Sequence, residues 1–481
     1  MYSMLNPINK ATFLFLLSAH IMIIITQTSC QKLIEVDAPT TSITADNVYT
    51  NNLTASAVLT GIYSRISMNS ITGNDLSAIG LITGLAGDEL TLYAGAKDVR
   101  LRAYYQNNLA TITSRIDFWA NIYNEIYIAN LSIERLNNSF SLTPGVRQQL
   151  LGEAKFIRAF CNFYLVNLYG DIPLVTTSNY AVNSTLPRAP ISQVWMQIIS
   201  DLKDAKILLS NDYVDGTLLK KSIERIRPNK WAATALLARS YLYTNDWVNA
   251  EIESTEIINN TTLYNLDSLN NTFLMNSREA IWQLQPVNFA SNTEDAKVYI
   301  LPRSGPSSSR PVYLSPQLLN SFEANDRRKT LWIDSVLITG MPYHFVFKYK
   351  SGALNAPLTE YNTIFRLGEQ YLIRAEARAQ QNKIAGSRAD LNIIRIRAWL
   401  DESKLNQKSA LLSSIYHERQ VELFTEWGHR WLDMKRIHIV DTVMRNVTPL
   451  KGGSWNLNWE LFPIPSNDIL TNGNLSQNTG Y

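Results

Sequence analysis

The stretch RPNKWAATALLARSYLYTNDWVNAEIESTEIIN, Arg227 to Asn259, indicates the fold class. Pro228 suits a first helical turn, and small or apolar residues recur after it at three- and four-residue steps along one face. A polar turn around Thr244 to Asp246 follows, and Trp247 opens a second amphipathic helix. Because small residues let two helices pack closely, this pair of about 34 residues is typical of a tetratricopeptide repeat.

Two other segments have the same rhythm of alanine and aromatic residues, namely PGVRQQLLGEAKFIRAFCNFYLVNLYG and FRLGEQYLIRAEARAQQNKIAGSRADLNIIRIRAWL. A single repeat cannot bury its own apolar face, so several units are expected to stack. Trp282, in EAIWQLQP, alternates with apolar neighbours and indicates a buried strand. The sequence therefore predicts a mainly α protein, a tetratricopeptide-like helical superhelix with long irregular loops and minor β structure.

Two long stretches between the helical blocks show little helical periodicity, Ile79 to Leu109 and Pro286 to Tyr313. Loops of this length in a compact domain are usually functional or disordered, and their aromatic content argues against disorder. We therefore expect them to carry function.

The amino terminus has the pattern of an export signal. One base, Lys10, precedes a largely apolar run from Ala11 to Ile25, too short and interrupted to span a membrane. Cys30 follows, which predicts a lipoprotein signal peptide at 1–29 and a lipid-anchored tether at 30–45. The alternative is cleavage near Ser29 and a free secreted protein. The whole chain carries a net charge of only +3 and no clustered basic patch, which argues against nucleic-acid binding.

Five segments in this order resemble the SusD/RagB family of outer-membrane nutrient-uptake lipoproteins of Bacteroidetes. They are CQKLIEVDAPTTSITADNVYTNNLTASAVLTGIYSRI, EAKFIRAFCNFYLVNLYGDIPLV, RPNKWAATALLARSYLYTNDWVNA, ERQVELFTEWGHRWLDMKR and ELFPIPSNDILTNGNLSQNTGY. The resemblance covers nearly the whole mature chain. It implies an N-terminal SusD-like helical repeat region at 46–265 and a C-terminal RagB/SusD region at 266–481, packed together as one body.

The resemblance also implies a function. Such proteins are lipid-anchored, here through Cys30, at the surface of the outer membrane. They bind an oligosaccharide, or in some members a peptide, and pass it to a SusC-like TonB-dependent transporter. They are binding proteins, not enzymes, and need no nucleotide site; we predict no cofactor and no metal-ligating residues.

The residues leave two alternatives to this carrier function. The catalytic motifs G-x-S-x-G, H-E-x-x-H, G-x-x-x-x-G-K-[ST] and C-x-x-C are absent from the sequence. A glycoside hydrolase needs only two carboxylates, however, and Asp88 and Glu89 lie in an aromatic loop. Adjacent residues of an extended segment point to opposite faces, which argues against this pair. A scaffold that binds only protein would leave the aromatic loops unexplained.

A saccharide would be held by aromatic rings against its C–H faces and by hydrogen bonds to its hydroxyls. The predicted ligand residues come from the two irregular stretches: Asp88, Tyr93, Arg100, Tyr104, Phe289, Tyr299 and Tyr313. For each aromatic residue the alternative is loop packing, and for Asp88 it is a turn cap.

The segment RQVELFTEWGHRWLDMKRIH, Arg419 to His438, is dense in ionisable groups. Three of the chain's histidines fall between 417 and 438, at spacings that fit no usual metal-ligand pattern on one helix. The resemblance implies that this segment recurs in family members that bind different nutrients. A segment shared in this way is expected to serve the fold and not ligand recognition, so we expect structural ion pairs that hold the last helices in place. The predicted structural cluster is Glu418, Arg419, Glu422, Glu426, Arg430, Trp431 and Asp433, with Arg430 and Asp433 within one helical turn of each other. Arg327 and Arg328 are expected in a solvated turn.

Overall fold

The computed structural model describes residues 45–71, 76–109, 118–288 and 291–481. The chain divides into two units, Met1–Val48 and Tyr49–Tyr481. In the first, the structure describes one short helix, α1, Ala45–Val48. The predicted signal peptide, Cys30 and the predicted ligand residue Phe289 lie outside the described residues. All that follows concerns the second unit.

Helices form most of this unit. They are α2 (Asn52–Arg65, extended by a π-helical turn, Ile66–Ser70), α3 (Ile79–Ala86), α4 (Val99–Tyr105), α5 (Phe118–Asn137), α6 (Pro144–Tyr169), α7 (Tyr180–Asn183), α8 (Ile191–Leu208), α9 (Lys230–Tyr243), α10 (Trp247–Asn259), α11 (Glu294–Tyr299), α12 (Pro316–Leu319), α13 (Arg327–Leu331), α14 (Leu367–Gln380), α15 (Ile384–Arg397), α16 (Lys408–Glu422), α17 (His429–Arg436), α18 (Val440–Val447) and α19 (Ser466–Thr471). Two 3₁₀ turns, Thr448–Lys451 and Leu457–Glu460, follow α18.

The β structure in the described residues is small. Six strands form three antiparallel pairs: β1 (Leu90–Leu92) with β3 (Val312–Leu314), β2 (Ala280–Leu284) with β6 (Asn362–Arg366), and β4 (Ile333–Ile338) with β5 (Met341–Val346). The β2 strand is buried along its whole length, as predicted from the alternation around Trp282. The Trp282 ring lies edge-on to Phe156 and Phe160, with centroids 5.0 and 5.3 Å away.

The long helices pack in succession as a superhelix. The pairs in contact are α5 with α6, α6 with α8, α8 with α9, α9 with α10, α10 with α14, and α14 with α15 and α16. Each helix thus buries its apolar face against its neighbours, as stacked helical repeats must. The prediction of a mainly α, tetratricopeptide-like fold with minor β structure is confirmed.

The α9–α10 pair lies where the sequence predicts it. The Asn229 side chain caps α9 by accepting from the amides of Trp231 and Ala232, so Pro228 precedes the cap instead of entering the first turn. The turn contains Asn245 in the left-handed region, with φ of 60°, and the Asp246 side chain caps α10. Four alanines of α9 are fully buried, which allows the close helix packing inferred from their spacing.

The two irregular stretches contain more helix than the sequence predicts. Helix α3 falls in the first stretch, and all eight of its residues are buried. A helix surrounded by protein on every side needs no polar face, so its sequence lacks the period of an amphipathic helix. Helix α4 follows in the same stretch and α11 falls in the second. None of the described helices has the length and apolar character needed to cross a membrane.

Candidate functional site

The two irregular stretches meet in space through the β1–β3 pair. In its register, Leu90 lies opposite Leu314, Thr91 opposite Tyr313 and Leu92 opposite Val312. The four aliphatic residues are buried, whereas Thr91 and Tyr313 are partly exposed on the other side of the ribbon. The pairing continues beyond the strand, since the Tyr93 amide donates to the Pro311 carbonyl over 2.6 Å. Residues more than 200 positions apart therefore form one surface.

Tyrosines dominate the outward side of this ribbon. The Tyr343 ring on β5 lies edge-on to Tyr313, with centroids 5.0 Å apart and an interplanar angle of 86°. Tyr105, at the end of α4, lies close enough to Thr91 and Tyr313 for these groups to interact electrostatically. Strand alternation puts Tyr93 on the same side as Thr91. We call this set, Thr91, Tyr93, Tyr105, Tyr313 and Tyr343, the tyrosine face.

Two phenol groups of the tyrosine face, those of Tyr105 and Tyr313, are favoured in the neutral form. Burial raises the pKa of Tyr105 above its ordinary value, with the nearby Thr91 side chain acting in the opposite direction. Burial also raises the pKa of Tyr313, and the neighbouring Tyr105 and Tyr343 add to the shift. A protonated phenol both donates and accepts a hydrogen bond, and its ring offers an apolar surface. The face can therefore take a neutral polyhydroxylated ligand.

The backbone beneath the face is held by buried polar contacts. Asp88, just before β1, is 4% exposed and receives two hydrogen bonds from Arg430, at 2.9 and 2.7 Å. The Ser315 amide donates to the Glu89 carbonyl over 2.9 Å. The Glu89 carboxylate is buried and accepts from the Thr425 amide at 3.0 Å. Burial raises the pKa of Glu89 to about 8.

The predicted ligand residues are distributed unequally. Tyr93 and Tyr313 belong to the tyrosine face. Tyr104 is 2% exposed and packs edge-on against Phe462, and Tyr299 is 4% exposed. Asp88 binds Arg430 in the interior, as given above. Arg100 forms an ion pair of 2.7 Å with Asp98, the cap of α4. A ligand role for these residues stays a prediction.

Three residues of the tyrosine face were not predicted. Tyr105 follows Tyr104 directly, and successive helical residues point in different directions. The buried residues of α4 are Leu101, Ala103 and Tyr104. This spacing places Tyr104 on the buried side of the helix, so it could have indicated that Tyr105, and not Tyr104, points away from the interior. Thr91 is opposite Tyr313 only because of the strand register. Tyr343 comes from outside both stretches, in the segment MPYHFV, Met341–Val346.

A buried network of ion pairs surrounds the end of α16. Glu422 is fully buried and binds Arg366 at 2.6 Å, Arg328 at 2.9 Å, and Arg397. Arg366 also binds Glu426 at 2.8 Å, although α16 ends at Glu422 and Glu426 lies beyond it. Burial alone would raise the pKa of Glu422, but Arg397, Arg366 and Arg328 outweigh it and hold that pKa far below its ordinary value.

The expectation of a solvated turn is wrong for Arg328. Its guanidinium is fully buried and binds Asp326 at 2.8 Å and Glu418 at 2.6 Å. Arg327 is exposed and lies over the Trp399 ring, 5.0 Å from the centroid. Asp326 caps the helix α13 that begins here, and a helix directs adjacent side chains to different sides. The sequence shows two adjacent arginines but not which one faces the interior.

The ion pairs of α17 also differ from the expected local pair. Asp433 binds Arg419 and Arg436, each at 2.7 Å, and Arg430 instead reaches Asp88. Gly428, with φ of 79° in the left-handed region, directly precedes α17. The expected contact was local in sequence and the observed one spans more than 300 residues.

No group of three or more His, Cys, Asp or Glu side chains in the described part of the chain is arranged to hold a metal ion.

Comparisons with known proteins agree with this fold. A family model described as "Starch-binding associating with outer membrane" matches residues 93–242, and the SusD family model matches residues 338–481. SusD-like protein P25 of Formosa agariphila is 24% identical, covering 96% of this chain and 98% of the relative. SusD-like protein P2 of the same organism is also 24% identical, with the same two coverages.

Solved structures of this fold cover most of the chain. A structure titled "Laminarin binding SusD-like protein" aligns with TM-score 0.72 and 21% identity, covering 89% of this chain and 99% of that one. Surface glycan-binding protein A from Bacteroides uniformis aligns with TM-score 0.74 and 17% identity over the same shares. The two family models match successive parts of the chain, the relatives align over nearly their full length, and the solved structures share the fold. These findings lead to the same assignment. The chain belongs to the SusD/RagB family.

Proposed function

We propose that the protein binds an oligosaccharide on the tyrosine face and passes it to a SusC-like TonB-dependent transporter in the outer membrane. The observation that carries the proposal is the edge-on pair of Tyr313 and Tyr343, both partly exposed on the same face as Tyr105 and Tyr93. Rings held by strand pairing offer apolar area with few torsions left to freeze on binding. The names of a laminarin-binding neighbour and of a surface glycan-binding neighbour support a saccharide ligand.

Binding without catalysis is part of this proposal. A glycosidase needs two carboxylates that flank the bond to be cleaved. Asp88 is engaged by Arg430, and Glu89 is directed into the interior toward the Thr425 amide. Neither is a free acid on the tyrosine face, which supports a carrier over a hydrolase.

The membrane anchor and the transporter rest on the sequence pattern at residues 1–30 and on the family. Replacement of Cys30 by alanine is expected to release the protein from the outer-membrane fraction, and mass spectrometry of the mature amino terminus should detect the acyl chains on Cys30 in the wild type. Copurification of a TonB-dependent transporter with the anchored protein checks the partner. A wild-type protein found free in the medium would contradict the anchor.

Single substitutions test the binding face. Tyr313→Ala and Tyr343→Ala should each weaken saccharide binding about tenfold, since a lost ring contact costs about 1–1.5 kcal/mol. Isothermal titration calorimetry with laminarin and maltose oligosaccharides, preceded by a glycan array, measures the change. Phe140→Ala, which removes a ring that is 92% exposed outside this face, is the matched control. Unchanged binding in both tyrosine variants would refute the face, and sugar products in the titration mixture would refute the carrier.

A further inference from the structure

A second concave site lies along α5, on a part of the unit that shares no residue with the tyrosine face. It is a cleft with a volume of about 350 Å³. Trp119, Tyr123 and Tyr127 line it from α5, and Tyr180, the first residue of α7, lines it from the chain segment that follows α6. The three residues of α5 are spaced by four, so they form one stripe that rises about 6 Å per step.

The deep end of the stripe is fixed and the outer end is exposed. Trp119 is 3% exposed, and its ring centroid lies 4.9 Å from that of Tyr123. The Tyr123 hydroxyl donates to the Pro173 carbonyl over 2.8 Å. Tyr127 and Tyr180, in contrast, are 45% and 82% exposed. Large exposed rings that line the same concave site indicate a binding surface.

The segment that carries Tyr180 is anchored to α5. The Glu134 carboxylate accepts from the Ser178 amide at 2.8 Å and from the Thr177 hydroxyl at 2.9 Å. The Asn179 side chain then caps α7 by accepting from the Ala181 amide at 3.0 Å. The backbone of Tyr180 is therefore fixed before any ligand arrives, which lowers the entropic cost of binding.

Polar groups complete the cleft. Asp468 and Asn472, one turn apart around α19, line it together with Asn183. The Asn183 side-chain nitrogen donates to the Thr177 carbonyl at 2.7 Å, whereas its buried Oδ1 has no hydrogen-bond partner among the described residues. An unpaired buried acceptor costs about 1–3 kcal/mol, so a hydrogen bond from a ligand hydroxyl to this oxygen would be favourable.

We propose that this cleft is a second saccharide-binding site, which takes a neutral sugar residue on Tyr127 and Tyr180. The described lining includes the Asp468 carboxylate and no lysine or arginine, and Asp468 and Arg188 act on the Tyr123 phenol in opposite directions. The cleft therefore has no excess of positive charge, which favours a neutral ligand over a strongly anionic one. Amide, hydroxyl and carboxylate groups beside aromatic rings suit a polyhydroxylated ligand better than an entirely apolar one. The inference rests on the proposed function, and it adds a second place on the same unit where a neutral saccharide binds.

The test compares three variants with the wild type: Tyr127→Ala/Tyr180→Ala in the cleft, Tyr313→Ala/Tyr343→Ala on the tyrosine face, and all four together. The probes are an array of neutral and uronic-acid oligosaccharides, laminarin and soluble starch. Melting temperatures establish that the exposed cleft rings leave the fold intact. We expect the face variant to keep weaker binding to neutral saccharides, and the four-residue variant to lose that residual binding at least tenfold.

The outcomes distinguish the two proposals. The second site would be refuted if the Tyr313→Ala/Tyr343→Ala variant kept no binding. It would also be refuted if the four-residue variant bound as well as that variant. Either result would leave the proposal for the tyrosine face unaffected. Preferential retention of uronic-acid saccharides by the face variant would overturn the neutral ligand. A wild-type protein that binds none of the probes would overturn both sites as saccharide sites.

Discussion

Arg430→Met is expected to destabilise the whole unit, because Arg430 joins α17 to the segment that enters β1. The Asp88–Arg430 pair has two contacts, of 2.9 and 2.7 Å, and the side chains are 5% and 11% exposed. Removal of one partner from a buried pair costs about 3–5 kcal/mol, since the other charge stays buried. The unfolding entropy is roughly 2.1 cal/mol/K per residue, and the unit has about 430 residues. Dividing the free-energy loss by this total entropy gives a fall of about 3–6 °C in Tm.

The pH dependence of this loss has a definite sign. Lys451 lies close to Asp88 and donates to the Leu85 carbonyl at 2.8 Å, and burial lowers its pKa to about 7. Below pH 7 its ammonium group is charged and partly compensates Asp88, and above pH 7 the proton leaves. The cost of Arg430→Met should therefore be larger at pH 8 than at pH 6.

Calorimetry and urea unfolding of the purified variant at both pH values measure these effects. The control is Asp88→Asn/Arg430→Met, which removes both charges and should recover most of the stability. Since Asp88 adjoins β1, we also expect Arg430→Met to weaken saccharide binding. A soluble Arg430→Met protein with the wild-type Tm that only loses ligand binding would refute a structural role for this pair.

Two further predictions follow from the buried charges. Arg328→Met should cost about 3–5 kcal/mol. Arg327→Met, its exposed neighbour, should cost less than about 1 kcal/mol, since it loses only the contact with the Trp399 ring. Equal losses of stability for the two variants in urea unfolding would contradict the conclusion that only Arg328 is buried. Because the pKa of Glu89 is raised to about 8, the stability from its protonated form is complete below the unfolded pKa and is lost as pH rises to 8. Glu89→Gln should therefore gain stability relative to wild type between pH 5 and pH 8, by up to about 1.4 kcal/mol per pH unit, and a flat difference in denaturant unfolding would refute the shift.

The helical architecture was predictable because its signals are local. Helix caps such as Asn229 and Asp246, and alanines at helical spacing, act within a few residues of the chain. Helix α3 was missed for a physical reason, since a helix that is buried on every side carries no polar face. Helical periodicity in a sequence arises because one face of the helix is exposed and polar. A helix without an exposed face therefore shows no such periodicity.

The candidate site was predictable only at the level of its segments. The aromatic content of the two irregular stretches led to Tyr93 and Tyr313, but the face also needs Thr91, Tyr105 and Tyr343. Their proximity comes from the β1–β3 register and from packing of β3 against β5. Such contacts between distant residues leave no regular spacing in the sequence.

Sequence alone determined the class of fold, the repeat-like helix pairs and the segments where function should lie, because secondary structure depends on residues close in the chain. Tertiary structure alone decided which tyrosines share a surface, that Arg430 binds Asp88 instead of Asp433, and that Arg328 is buried beside an exposed Arg327. The physical reason is that a side chain's partner and burial are set by elements that pack from hundreds of residues away, as with positions 88 and 430.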